Sequence, residues 1–318
     1  MSDALIIALP SKGRLKEQTE AWLSDCGFRL EMAGGDRGYR ARLQGLPGAE
    51  VRLLSAADIA QSLDAGDVHL GLTGEDLLRE RGGDVDSRVL LLRALGFGRA
   101  DLVVAAPQSW IDVDTMADVD EVAHAYLARN GRRMRVATKY HVQTRAFFAA
   151  HGVADYRIVE SLGATEGAPA AGAAELVVDI TSSGATLAAN NLKILGDGVI
   201  LRSQAQLAAS LTAPWTDGRI ASLNRLMSVI EGRAAGRRLC SLHWPVERHG
   251  DAVAAVADWV ARGAALRPDG MLVQEAELFD AAGALAAAGV GPVTVTRPDY
   301  VFEARSAPVE RLCARLGR

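Results

Sequence analysis

Cysteine, blocks of basic residues and long apolar runs are all scarce in this chain of 318 residues. Its three cysteines, Cys26, Cys240 and Cys313, lie far apart and form no CxxC pair. They supply no disulfide framework and fit small core thiols in a reducing cytoplasm. No lysine- and arginine-rich block stands out, and the net charge is −4. A nucleic-acid or membrane-surface partner is therefore not expected, although a local basic pocket still suits a small anionic substrate. No stretch reaches the ~18 consecutive apolar residues of a membrane-spanning helix, so none is expected. The opening Met1-Ser-Asp-Ala4 has no basic region followed by a long apolar run, so no secretion signal is expected and the setting is read as cytoplasmic. The GxxxxGK[ST] run of a P-loop kinase is missing.

What is present is ordinary globular material: 49% apolar and 23% charged residues, in a chain long enough for two or three domains. The most informative stretch is Glu175-Leu-Val-Val-Asp-Ile-Thr-Ser-Ser-Gly-Ala-Thr-Leu187. It begins as a buried strand, passes through Asp179, and becomes a loop of small hydroxyl residues around Gly184 that opens a helix near Thr186. A strand end holds a carboxylate in place. Thr181, Ser182, Ser183 and Thr186 offer short hydroxyl donors, and Gly184 lets backbone approach a ligand closely. A helix start adds unpaired N–H groups and partial positive charge for a phosphate. This is the layout of a phosphoribosyl site, although a plain strand–turn–helix connection shows the same pattern.

Around it the chain reads as α/β. Residues 4–10 form an apolar strand of the kind buried in a parallel sheet, followed by Ser11-Lys-Gly-Arg14 and a helix to about Gly27. Lys12, Gly13 and Arg14 thus sit at the carboxyl end of a strand, where open α/β sheets bind ligands. Residues 28–54 read as short strands with Arg37 near a tip. The strand at 68–72 runs into Thr73-Gly-Glu-Asp76, where the acids could equally be helix caps. Strands at 89–95 and 101–106 follow. Residues 107–182 restart the pattern as a small inserted α/β unit. Strands at 192–203 and 204–208 and an amphipathic helix at 220–231 return to the first unit. Beyond a boundary near 232–238 comes a third unit, with strands at 239–244, 271–274, 293–296 and 300–302 and helices at 251–262, 278–288 and 309–316. The predicted domains are therefore 1–106 with 183–236, an insert of 107–182, and 237–318.

Three separated segments, Pro10-Ser-Lys-Gly-Arg-Leu15, Asp67-Val-His-Leu-Gly-Leu-Thr-Gly-Glu-Asp76 and Asp179-Ile-Thr-Ser-Ser-Gly-Ala-Thr-Leu187, lie in order with Arg135-Val-Ala-Thr-Lys-Tyr140 and Gly163-Ala-Thr-Glu166 between the last two. Together they closely resemble the ATP phosphoribosyltransferases that begin histidine biosynthesis, over roughly residues 4–232. The resemblance implies a two-lobed core like the periplasmic binding proteins, with the site in the cleft. It implies substrates ATP and phosphoribosyl pyrophosphate, with Mg²⁺. Adenine N1 would attack C1 of the ribose, pyrophosphate would leave, and N1-(5-phospho-β-D-ribosyl)-ATP would form. Such a reaction needs no nucleophilic side chain, because N1 already carries a lone pair; positioning and electrostatics carry it.

By motif position the resemblance implies that Thr181, Ser182, Ser183, Gly184, Ala185 and Thr186 hold the 5-phosphate and Asp179 the ribose hydroxyls. Glu166 would be a second sugar or Mg²⁺ contact. Lys12 and Arg14, catalytic candidates together with Asp179 and Glu166, would face phosphates of ATP or the leaving pyrophosphate, and Gly13, Gly74, Asp76, Leu77 and Ala100 would lie near the nucleotide, with Arg37 a weaker phosphate candidate. Mg²⁺ would be held mainly by pyrophosphate and water, with no dedicated protein cage.

Two departures stand out. A Tyr-Pro pair common in the family is Tyr140-His141 here, and His141 reads more readily as a surface histidine than as a ligand. Long-form members carry a ferredoxin-like domain that binds histidine; residues 237–318 have the length, but their elements alternate differently. Histidine feedback, a homo-oligomer and a regulatory partner subunit stay open expectations. The alternatives are a solute-binding or regulatory homologue without catalysis, and a type I phosphoribosyltransferase. The latter usually has two adjacent acids before its loop, whereas Val178 precedes Asp179 here.

Overall fold

A computed structural model describes residues 3–32, 39–161 and 163–318, which build three sheets. The first has seven strands in the order Arg29–Met32, Arg40–Gln44, Ala49–Leu54, Leu5–Pro10, Leu70–Gly74, Ala205–Ser210 and Val89–Ala94. Leu5–Pro10 lies parallel to both its neighbours. A parallel strand covered on both faces carries no polar alternation, which is why its run of apolar residues was readable as a strand. Leu5, Ile7, Leu9 and Leu70 face one apolar cluster, and Ala8, Ile59 and Leu63 face the other.

The second sheet runs Leu192–Leu201, Asp101–Pro107, Leu176–Thr181, Met134–Thr138 and Tyr156–Glu160. It too is packed on both faces, by a large cluster around Met116, Phe148 and Leu176 and a smaller one around Val103 and Leu187. The α/β two-lobed class is as expected, but the points where the chain changes lobes are not at 106/107 and 182/183. Asp101–Pro107 pairs with Leu176–Thr181 and with Leu192–Leu201, so both flanking strands belong to the second sheet. The chain crosses between sheets through residues 95–100 and 202–204. Apolar content cannot assign a strand to one sheet or the other, and the two glycines at 96 and 98 mark the real crossover, both with positive φ.

The long helix Asp217–Gly236 begins with Thr216 accepting the Arg219 amide at 3.2 Å and buries Leu223, Met227 and Ile230. It leads into the third sheet, in the order Ala265–Arg267, Gly270–Gln274, Leu239–His243, Thr294–Thr296, antiparallel throughout. Helices follow the first and third of its strands in chain order, which gives the βαββαβ arrangement of the ferredoxin-like motif. The expectation that this unit alternates differently is therefore corrected. The strand that completes the motif, Ala265–Arg267, is three exposed residues long and leaves no alternation to read.

The strand expected at 300–302 is not formed. Tyr300 and Phe302 stack with centroids 5.7 Å apart, and the Val301 amide donates to the Gly232 carbonyl at 2.9 Å. A Cβ on Gly232 would press on the Phe302 ring. The final helix, Ala307–Arg315, returns to the first lobe: Val309 and Leu312 join its core, and Arg311 donates to the Leu92 carbonyl at 2.8 Å. Among the described residues no helix is long and apolar enough to cross a membrane.

Candidate active site

Leu176, Val177 and Val178 are fully buried at the centre of the second sheet, and the strand turns polar at half-buried Asp179. Gly184 follows in a left-handed conformation, φ 75°, just before the helix Ala185–Ala189. The loop is braced from within. Thr181 Oγ1 accepts the Gly184 amide at 2.8 Å, and Ser183 Oγ accepts the Ala185 amide at 3.4 Å. A hydroxyl that accepts from the backbone still has its own hydrogen to donate to a ligand.

Asp179, Thr181, Ser182, Ser183 and Thr186 line a cavity of about 290 Å³ together with Glu166, Arg99 and Ala100. Glu166 is carried on the turn Thr165–Gly167, preceded by Ala164 at φ 49°. A left-handed alanine is strained by roughly 1 kcal/mol, and here it aims Thr165 and Glu166 at Asp179. Asp179 Oδ1 accepts the Ile180 amide at 2.8 Å and lies 4.0 Å from Lys139 Nζ. Burial pushes the Asp179 carboxyl above the ordinary carboxylate range and the neighbouring Glu166 adds to the rise; the Ile180 amide, Lys139 and the Thr165 hydroxyl act against it. Gly184 and Ala185 lie on the loop but do not line this cavity.

A second cavity, about 570 Å³, adjoins the first and shares Arg99, Ala100, Ile180 and Ser182 with it. Arg14, Gly74, Asp76 and Leu77 line it. Lys12 and Gly13 are exposed and line neither cavity; Lys12 precedes the helix Gly13–Asp25 without a capping bond. Arg37 lies outside the described residues.

Asp76 lines the larger cavity and is also tied into the protein. Only 4% exposed, it accepts from Tyr140 Oη at 2.7 Å on one oxygen and from Ser203 Oγ at 2.8 Å on the other. Its carboxylate is committed to the protein, and Gly74 is bare because a Cβ there would overlap it. Burial and the Asp76 charge push the Tyr140 phenol far up, so it stays a donor. Next to this pair, Glu80 accepts the amides of Val142 and Gln143 at 2.9 and 3.2 Å, and so caps the helix His141–Ala150 across the lobes. His141 Nε2 lies 3.2 Å from the Thr138 carbonyl oxygen and lines neither cavity. Among the described residues no group of three or more histidine, cysteine or acidic side chains could hold a metal.

Sequence reasoning missed Arg99, Lys139 and Ser203. The signal for Arg99 was present, in an arginine directly after Gly96-Phe-Gly98. Lys139 lies within Arg135-Val-Ala-Thr-Lys-Tyr140, where the sequence pattern assigns it no role. Ser203 carried no signal, since its partner Asp76 is 127 residues away.

The family model for ATP phosphoribosyltransferase matches residues 55–232. The ATP phosphoribosyltransferase of Caulobacter vibrioides is 70% identical over 316 residues, 99% of each chain. That of a Bradyrhizobium species is 48% identical over 325 aligned residues, again 99% of each chain. Among solved structures, a chain of the ATP phosphoribosyl transferase (HisG:HisZ) complex from Thermotoga maritima superposes with a TM-score of 0.54 at 25% identity, covering 71% of this chain and 98% of that one. The chain belongs to the ATP phosphoribosyltransferase family, pentosyltransferases of histidine biosynthesis.

Proposed function

We propose that the two adjoining cavities hold the two substrates side by side, phosphoribosyl pyrophosphate against Asp179 and the hydroxyl loop, and the nucleotide of ATP against Leu77, Ala100 and Arg14. The observation that carries this reading is the cavity in which Asp179 and Glu166 face Thr181, Ser182, Ser183 and Thr186. The hydroxyls and the amides at the loop suit a 5-phosphate, and the carboxylates suit ribose hydroxyls. With N1 of the adenine held in line with C1, the protein has only to position the reactants and stabilise charge. Gly184 and Ala185 act as backbone around the phosphate.

Mg²⁺, when bound, neutralises pyrophosphate oxygens. Glu166, which shares its cavity with Asp179, would be the protein contact to an ion held mostly by substrate oxygens and water. Lys12 is an outer phosphate contact at most, because it lines neither cavity. Residues 237–318 are proposed to regulate or assemble the enzyme, as a homo-oligomer or with a partner subunit. The ferredoxin-like strand order supports a regulatory domain.

The test is an ultraviolet absorbance assay of the purified chain with ATP, phosphoribosyl pyrophosphate and Mg²⁺, with and without histidine. Phosphoribosyl-ATP is expected from the chain alone, with turnover lowered by histidine. Binding of both substrates without turnover would call for a partner subunit, and binding of neither would remove the proposed site.

A further inference from the structure

Among the described residues Arg99 is the only basic side chain lining the ribose-side cavity, and it lines the nucleotide-side cavity as well. Its exposed side chain has no ion pair or hydrogen-bond partner among the described residues. Other nearby cations are placed differently. Lys139 lies 4.0 Å from Asp179, and Arg14 lines only the larger cavity.

The backbone beneath Arg99 is held firmly. The residue sits on the crossover from the first sheet to the second. The Ala205 amide donates to the Phe97 carbonyl at 3.0 Å, and the Ala100 amide donates to the Ser203 carbonyl at 3.0 Å, so the two crossover segments are bonded to each other on both sides of Arg99. Gly98, at φ 62°, packs so closely that a Cβ would meet Leu15 and Ala205 at 3.1 and 3.2 Å. An unpartnered guanidinium on a braced backbone segment, lining both cavities, is a positive charge available to an anion that lies between them.

We propose that Arg99 is a catalytic residue that binds the departing pyrophosphate where the two substrates meet. The inference rests on the substrate placement proposed above. In the transfer, the N1 lone pair forms the bond to C1 while the C1–O bond breaks and its electron pair leaves on pyrophosphate. The adenine ring becomes cationic and loses a proton from its exocyclic amine to water. The leaving group gains a negative charge as that bond breaks, and a guanidinium can meet two of its oxygens at once. Such an interaction grows toward the transition state, so its loss lowers kcat more than it raises KM.

The test compares wild type with Arg99→Ala, Arg99→Gln and Arg99→Lys by kinetics, by calorimetric titration with Mg²⁺ and pyrophosphate, and by thermal unfolding. Expected are unchanged melting, a kcat lowered roughly 100-fold in the Ala and Gln variants, as for loss of one charge-stabilising group, and partial recovery with Lys. Pyrophosphate affinity should fall in parallel, while affinity for ribose 5-phosphate stays at the wild-type value. Wild-type protein that binds pyrophosphate through Arg99 yet makes no phosphoribosyl-ATP would keep this anion site and remove the transfer reading. Wild-type kcat and pyrophosphate affinity in the Ala and Gln variants, or no pyrophosphate binding to wild type, would overturn the proposal.

Discussion

His69 is 3% exposed with both ring nitrogens engaged: Nδ1 accepts the Ile6 amide at 3.1 Å, and Nε2 donates to the Pro214 carbonyl at 3.2 Å. A second proton would set an N–H against the Ile6 N–H. Burial holds its pKa below the ordinary 6.5. The unfolded chain therefore binds more protons than the folded one below that value, so the contribution of His69 is full above about 6.5 and fades as pH falls. Denaturant midpoints should drop between pH 7 and pH 5, and His69→Asn should flatten that dependence; an equal slope in the variant would assign it to other groups. That Asp179 lies beside the hydroxyl loop was legible because these residues are nearly consecutive, and they line one cavity. The bonds that hold the Asp76 carboxylate were not legible, because its partners Tyr140 and Ser203 are 64 and 127 residues away.

Among the elements, strands with strong apolar patterns were found close to their true limits, whereas sheet membership and the short strand Ala265–Arg267 were not. Sheet membership is decided by which strands exchange hydrogen bonds, and similar apolar strands in the two lobes give no cue. The helix Ala307–Arg315 is amphipathic enough to find by period, but its destination was hidden. Leu312 is fully buried in the core of the first lobe, and Arg315 donates to the Asp86 carbonyl. Leu312→Ala should therefore destabilise the catalytic lobes by about 3 kcal/mol, the usual range for truncating a core leucine. Denaturant unfolding would check it. A loss well under 1 kcal/mol would mean that the tail only rests on the surface.

At the scale of the molecule, the two lobes are joined by two crossovers and by a latch in which buried Asp76 and half-buried Glu80 of one lobe hold Tyr140 and the start of the helix His141–Ala150 in the other. The latch stands beside the larger cavity, so lobe orientation and site geometry are set together. The strand pattern restarts near residue 107, but the chain changes sheets at 95–100 and 202–204. The latch was not legible, because it exists only after both lobes have folded. In the proposed reaction the cleft transfers a phosphoribosyl group with Asp179 on the ribose. Steady-state kinetics of Asp179→Asn against wild type, with thermal unfolding as a folding control, test it most directly. The expected result is a kcat/KM for phosphoribosyl pyrophosphate lowered by about 100-fold or more in a variant that melts normally. Near-wild-type kinetics in that variant would contradict it and place the ribose elsewhere.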